Sequence, residues 1–168
     1  MLKNFNPTYY FDNVYMVNSD FFKKEGIKNI ILDIDNTLIS NTVEVGDEKL
    51  YTWIDELKNA GINLCIVSNG KGARVKKFNE NIGLPTVFEA LKPTQKGYGE
   101  ALKIMGANKE ETVGIGDQIF TDIWGANRAG IKSMLVRPID KYEQFGIKLK
   151  RVLEIPVKHS LKRRGIIK

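Results

Sequence analysis

An open α/β fold, a parallel sheet flanked by helices, is the class that this 168-residue chain predicts. Three observations carry that expectation. Aliphatic runs alternate with amphipathic stretches, the runs are flat in hydrophobicity as strands covered on both faces must be, and the connections are short. Repeated strand–helix units of this kind close through right-handed crossovers into a parallel sheet.

In chain order, "NIILDI" (29–34) reads as a buried strand. "GDEKLYTWIDELKNAG" (46–61) sets Leu50, Trp53, Ile54 and Leu57 on one helical face, with Asp47 as N-cap and Gly61 as stop. "INLCIV" (62–67) is the second strand, and "SNGKGARVKKFNENIG" (68–83) a helix entered through a polar turn. "PTVFEA" (85–90) is a short third strand. "TQKGYGEALKIMG" (94–106) is a helix capped by Thr94, with Tyr98, Ala101, Leu102 and Met105 inward. "ETVGIGD" (111–117) and "IKSMLVRP" (131–138) are the last strands, with the helix "TDIWGANRAG" (121–130) between them.

The expected organisation is one domain over residues 1–168, with its core at about 27–138. Residues 1–26 form an aromatic N-terminal segment that would either add interfacial aromatics at a membrane or, through Tyr9, Tyr10 and Phe11, cover the sheet edge. Residues 139–168 form a basic segment, helical from Lys141 to Leu153 and irregular after Pro156.

Hydrophobic residues make up 42% of the chain and charged residues 27%, values that fit a soluble globular protein. The one cysteine, Cys65, allows no internal disulfide and suits a reducing compartment. No apolar stretch approaches the roughly 18 residues a bilayer span needs, and the start lacks the pattern of a signal peptide. A cytoplasmic location is the expectation. The net charge of +6 is uneven: residues 141–168 hold nine Lys or Arg and two acids, +7, leaving −1 for the first 140. That tail reads first as a dock for anionic lipid at the inner face of a membrane, at about 1 kcal/mol per basic residue near the surface. Nucleic acid attracts the same residues and is the second reading. The sequence carries no signal for oligomeric state.

In open α/β sheets ligands bind at the carboxyl ends of the strands. The exits "DIDNT" (33–37), "SNG" (68–70), "KP" (92–93) and "GDQIFTD" (116–122) bring Asp33, Asp35, Ser68, Lys92, Asp117 and Asp122 to one edge. Paired acids buried at a sheet end are costly unless a cation offsets them. Carboxylates on loops favour a hard cation, above all Mg2+, and phosphate oxygens are its usual further ligands. Ser68 and the amides of Asn69 and Gly70, at a helix start, suit an anion. Asp33 can then act as nucleophile, and Asp35, two residues on and on the same face, as acid and base. Thr37 adds a hydroxyl beside them.

"DIDNTL", "IVSNGKGARVKKF", "LKP" and "GIGDQIFTDIWGANRAG" resemble, in order, the four motifs of the haloacid dehalogenase (HAD) superfamily of phosphatases. The likeness spans about residues 27–136, and in detail the motifs also resemble the YqeG-type proteins of subfamily IIIA, bacterial relatives of the mitochondrial phosphatidylglycerophosphate phosphatase. It implies a Rossmann-like domain and Mg2+-dependent hydrolysis of a phosphomonoester through an aspartyl-phosphate. By resemblance, Asp33 is nucleophile and metal ligand, and Asp35 is acid/base with its backbone carbonyl on the metal. Ser68, Asn69 and Lys92 would bind phosphate, Asp117 would ligate Mg2+, and Thr37 and Asp122 would support the site.

Only 32 residues separate Asp35 from Ser68 and 23 separate Ser68 from Lys92, so neither interval has room for a cap domain. Phosphatidylglycerophosphate leads as substrate. A soluble sugar phosphate, nucleotide or phosphoprotein is the alternative, and a non-catalytic RNA- or ribosome-associated protein the alternative of another class. Arg74, Asn127 and Arg128 read as packing and surface charge, Cys65, Trp53 and Trp124 as core, and His159 as a solvated tail residue.

Overall fold

The computed structural model of the chain describes residues 2–140 and 145–168. Six strands form one sheet: β1 (Tyr9–Phe11), β2 (Asn29–Leu32), β3 (Asn63–Val67), β4 (Thr86–Val87), β5 (Thr112–Gly116) and β6 (Lys132–Val136). All are parallel, in the order β1-β6-β5-β2-β3-β4. Six helices connect or flank them: α1 (Ser19–Lys24), α2 (Glu48–Asn59), α3 (Gly72–Asn79), α4 (Gln95–Met105), α5 (Trp124–Ala129) and α6 (Phe145–Arg163). The predicted class is the observed one.

The flat hydrophobicity of β2 has a direct cause, since all four of its residues are buried. Ile30 and Leu32 join Leu50, Trp53, Ile54 and Leu57 of α2 in one core, while Ile31 points to the other face and joins Tyr98, Ala101 and Leu102 of α4. The period of two thus distributes a single run between two layers. At the start of α2 the Asp47 carboxylate accepts from the Leu50 amide at 2.8 Å, a cap worth about 1 kcal/mol.

Two expectations need correction. The N-terminal aromatics do more than cover an edge. Tyr9–Phe11 pair in parallel with Met134–Val136 as a sixth strand, and α1 follows, capped by Asn18 and burying Phe22. Three half-buried residues are too short a run to alternate visibly.

The tail is not irregular after Pro156: α6 runs through it to Arg163. A proline inside a helix removes one hydrogen bond and costs about 3 kcal/mol. Here Leu161 and Ile167 are buried against Ile119, Ile123 and Leu135, with Val157 packed alongside, and this contact holds the segment helical. Lys141, where the basic helix was expected to start, lies outside the described residues, as does Glu143. His159 is exposed, as read. No helix among the described residues is long and apolar enough to cross a membrane.

Strand order places the site. From β2 the chain steps outward to β3 and β4, then crosses back to β5 on the other side of β2. The gap between those two directions is the switch point at which open sheets bind ligands. Leu32 pairs with Ile115 and the Asp33 amide donates to the Ile115 carbonyl at 3.0 Å, so both strands release their acids at one level.

Candidate active site

Asp33 leaves β2 with only 8% of its surface exposed. Its Oδ1 accepts from Lys92 Nζ at 2.5 Å, and Oδ2 accepts from the Thr37 hydroxyl at 3.1 Å. Thr37 also lies 3.3 Å from Asp117 Oδ1, joining the β2 and β5 exits. Asn36 makes this turn in the left-handed region at φ 64, which an Asn side chain tolerates. Its amide donates to the Ile39 carbonyl at 2.7 Å, and it is buried.

Lys92 sits between two acids. Its ammonium donates to Asp33 and, at 2.7 Å, to Asp122 Oδ1, and its side chain is 3% exposed. Asn69 aims it: Asn69 Oδ1 accepts from the Lys92 amide at 2.7 Å and Nδ2 donates to the Lys92 carbonyl at 3.2 Å. Asn69 thus fixes the lysine-bearing loop through its backbone. The Ser68 hydroxyl is buried and accepts from the Gly70 amide at 2.9 Å.

Asp122 comes from a π-helical turn, Ile119–Ile123, that runs directly into α5. Its Oδ2 accepts from the Gln118 amide at 3.0 Å, and its carbonyl accepts from the Tyr98 hydroxyl at 3.0 Å. The side chain packs on Gly116, where a Cβ would collide with it, so β5 must end in glycine.

Asp33, Asp117 and Asp122 are all buried, and each offers a carboxylate oxygen within 4.8 Å of the others. Lys92 can offset only one of the two acids it touches. Burial therefore pushes the Asp33 carboxyl up to about 7, with Lys92 pulling it down and Asp122 pushing it further up. Burial pulls the Lys92 ammonium down, but Asp122 and Asp33 more than reverse this and hold it charged. An all-oxygen, buried, electron-rich set of this kind fits a hard divalent cation.

Asp35 lies outside that carboxylate group. Its Oδ1 accepts from Arg74 Nε at 2.9 Å and Nη2 at 2.6 Å. Arg74, read from sequence as surface charge, is thus part of the site. Asn127 does pack, donating to the Asn4 and Asn6 carbonyls, and Arg128 lies over the half-buried Trp124. Trp53 and Cys65 are core residues, as read.

Glu154 was also missed. It is fully buried on α6, and its Oε1 accepts from the amides of Ile119 at 2.6 Å and Phe120 at 3.2 Å, with Lys158 3.0 Å from Oε2. The basic tail therefore anchors the turn that presents Asp122. An acid standing in a basic helix was the available signal.

The cleft over these groups has a volume of about 450 Å³ and is lined by Asp33, Asp35, Ser68, Asn69, Lys71, Arg74, Lys92 and Asp122, among others. Residues 48–136 match the haloacid dehalogenase-like hydrolase family. The chain belongs to that family. The hydrolase is 37% identical to "Probable phosphatase YqeG" of Bacillus subtilis (strain 168), over 99% of this chain and 98% of that one. It is 26% identical to "Phosphatidylglycerophosphate phosphatase 1, chloroplastic/mitochondrial" of Arabidopsis thaliana, over 89% of this chain but 46% of that longer protein. A HAD-superfamily hydrolase from Ehrlichia chaffeensis shares the fold, with a TM-score of 0.56 and 17% identity over 75% of this chain and 95% of that one.

Proposed function

We propose that this HAD phosphatase hydrolyses a phosphomonoester with Mg2+, through a phosphoryl group carried on Asp33. The observation that carries the reading is the junction at Asp33, where a buried carboxylate meets a lysine, a threonine hydroxyl and two further acids. Asp33, Asp117 and the Asp35 carbonyl would hold the cation, with Asp122 beside them. When bound, the cation offsets the repulsion between anionic nucleophile and anionic ester and polarises the phosphoryl oxygens.

The residues then divide the work. A carboxylate oxygen of Asp33 attacks phosphorus and the ester P–O bond breaks. Asp35 gives a proton to the departing alkoxide, then takes one from the water that cleaves the acyl phosphate. Lys92, Ser68 and the amides beside Asn69 bind the equatorial oxygens, where charge gathers in the transition state. Asp122 keeps Lys92 in place. Asn69 acts on phosphate chiefly by positioning Lys92.

Phosphatidylglycerophosphate leads as substrate. It is supported by the likeness to the Arabidopsis phosphatase over most of this chain and by a short-looped site with room for a bulky ester. Peripheral contact with anionic membrane at its cytoplasmic face goes with that reading. Val152, Leu153 and Ile155 project from α6 at 58%, 59% and 59% exposure in a tail with nine basic residues, a combination suited to anionic lipid.

Asp33→Asn tests the chemistry. It should lose turnover while keeping the circular dichroism and melting of a folded chain, and normal hydrolysis by that variant would end the proposal. A panel of dispersed lipid phosphate against sugar phosphates, nucleotides and phosphopeptides decides the substrate, with faster turnover of the lipid expected. Vesicle and RNA co-sedimentation decide what the tail meets, and binding only to RNA would overturn the membrane contact.

A further inference from the structure

A second cavity, of about 310 Å³, lies between the exit of β6 and the end of α6 and shares no lining residue with the catalytic cleft. Four cations meet there: Arg137 directly follows β6, Lys158 and Lys162 stand four residues apart on one face of α6, and Lys168 comes from the chain beyond that helix. Lys168 is returned to the cavity by a reversal at Gly165, which takes the left-handed region at φ 68. There the Ile166 amide donates to the Leu161 carbonyl at 3.0 Å and the Gly165 amide to the Lys162 carbonyl at 2.9 Å, the bonds that close a helix end. Ile167 is then buried with Leu135 of β6 and fixes the backbone that carries Lys168.

Part of this charge is offset. Arg137 Nε lies 2.9 Å from Asp12 and donates to the Tyr10 hydroxyl at 2.8 Å, and Lys158 lies 3.0 Å from the buried Glu154. The rest is not. Lys162 and Lys168 are exposed and have no carboxylate partner among the described residues, and the Arg137 Nη atoms have no acceptor among them. Tyr10, accepting from Arg137, keeps its own proton to give. Asp117 is the one acid among the described residues on the wall; it is fully buried, and its Oδ1 accepts from Thr37 in the catalytic group. A concave wall dominated by one sign of charge concentrates the opposite ion. We propose that this cavity is a second, non-catalytic binding site for a phosphate group, held by Arg137, Lys162 and Lys168. Phosphate suits it because a dianion with three acceptor oxygens can serve donors from separate segments, and a guanidinium pairs with two of those oxygens at once. A bound phosphate ties the tail to β6. Lys158 and Glu154 continue that tie to the amides of Ile119 and Phe120, in the turn that carries Asp122. The phosphate can be free, borne by a small soluble molecule, or part of a lipid headgroup.

The test is a titration of the full chain, with Mg2+ present, by inorganic phosphate at fixed ionic strength, followed residue by residue in heteronuclear NMR spectra. The amides of Arg137, Lys162 and Lys168 should move together on one saturating curve. Lys162→Gln and Lys168→Gln in one chain should weaken that response by at least about tenfold, the scale of losing hydrogen bonds to a charged partner. Both side chains are exposed, so the fold should survive. Removing two exposed lysines of α4 instead, by Lys96→Gln and Lys103→Gln, should change it by less than about twofold. Ser68, Asn69 and Gly70 report the catalytic cleft separately, so each site stands or falls on its own signals. Vesicles of phosphatidylglycerol, with phosphatidylcholine as the neutral control, identify the source. Displacement of inorganic phosphate by the anionic vesicles alone assigns the site to a headgroup, and no displacement assigns it to a soluble phosphate. Shifts confined to residues 68–70, a response that does not saturate, or equal weakening by the α4 pair would overturn the proposal.

Discussion

Replacing Lys92 by methionine removes an ammonium whose side chain is 3% exposed and lies within 2.7 Å of two buried carboxylates. Methionine keeps most of the volume, so the loss is electrostatic. Removing one partner of a buried pair costs about 3–5 kcal/mol, because the remaining charge has neither water nor counter-ion. For a chain of this size that is a fall in Tm of about 6–20 °C. The pH dependence carries a definite sign. Burial already raises Asp33 to about 7, so the folded chain holds that proton more tightly than the unfolded chain. Ionising the group therefore costs stability as pH climbs from about 4 towards about 7. Lys92→Met should push this carboxyl higher still, so its loss should be larger at pH 8 than at pH 5. Thermal melts with EDTA at the two pH values measure it. Adding Asp122→Asn should restore part of the stability by removing a stranded acid, giving a coupling in the double-mutant cycle. A deficit under about 1 kcal/mol at pH 8, the same at pH 5, would refute this electrostatic account of the junction.

Three further outcomes follow from the same geometry. Glu154→Ala should lower stability in urea by about 3 kcal/mol, since two amides at 2.6 and 3.2 Å lose their acceptor. Gly116→Ala should displace Asp122 and depress turnover more than tenfold at unchanged circular dichroism, because a Cβ at that position collides with the acid. Mg2+ competes with a proton for Asp33, so titration calorimetry should show affinity falling about tenfold per pH unit below about 7. A flat profile there would mean that the cation does not displace that proton.

What the sequence made legible was whatever local pattern dictates. β2 and α2 were readable because a covered strand needs an unbroken aliphatic run and a helix needs its cap and stripe, and Asp47, Leu50, Trp53, Ile54 and Leu57 supply the latter. The site residues were readable because strand exits gather at one edge of a parallel sheet. Contacts between distant segments were not readable. β1 is three residues long and exists through its pairing with β6. Pro156 signals a break that buried Leu161 and Ile167 override. Arg74 looks like any helical surface arginine until the fold sets it on Asp35, 39 residues away. Glu154 stands out as an acid in a basic helix, but the amide it caps lies 35 residues away and nothing local points to it.

The phosphoryl group on Asp33 is the feature to measure. A labelled phosphomonoester mixed with the Mg2+-loaded enzyme, quenched in acid during the first turnover and mapped by peptide, should place the label on the peptide that carries Asp33. Turnover at a normal rate with no label on that peptide would contradict the account.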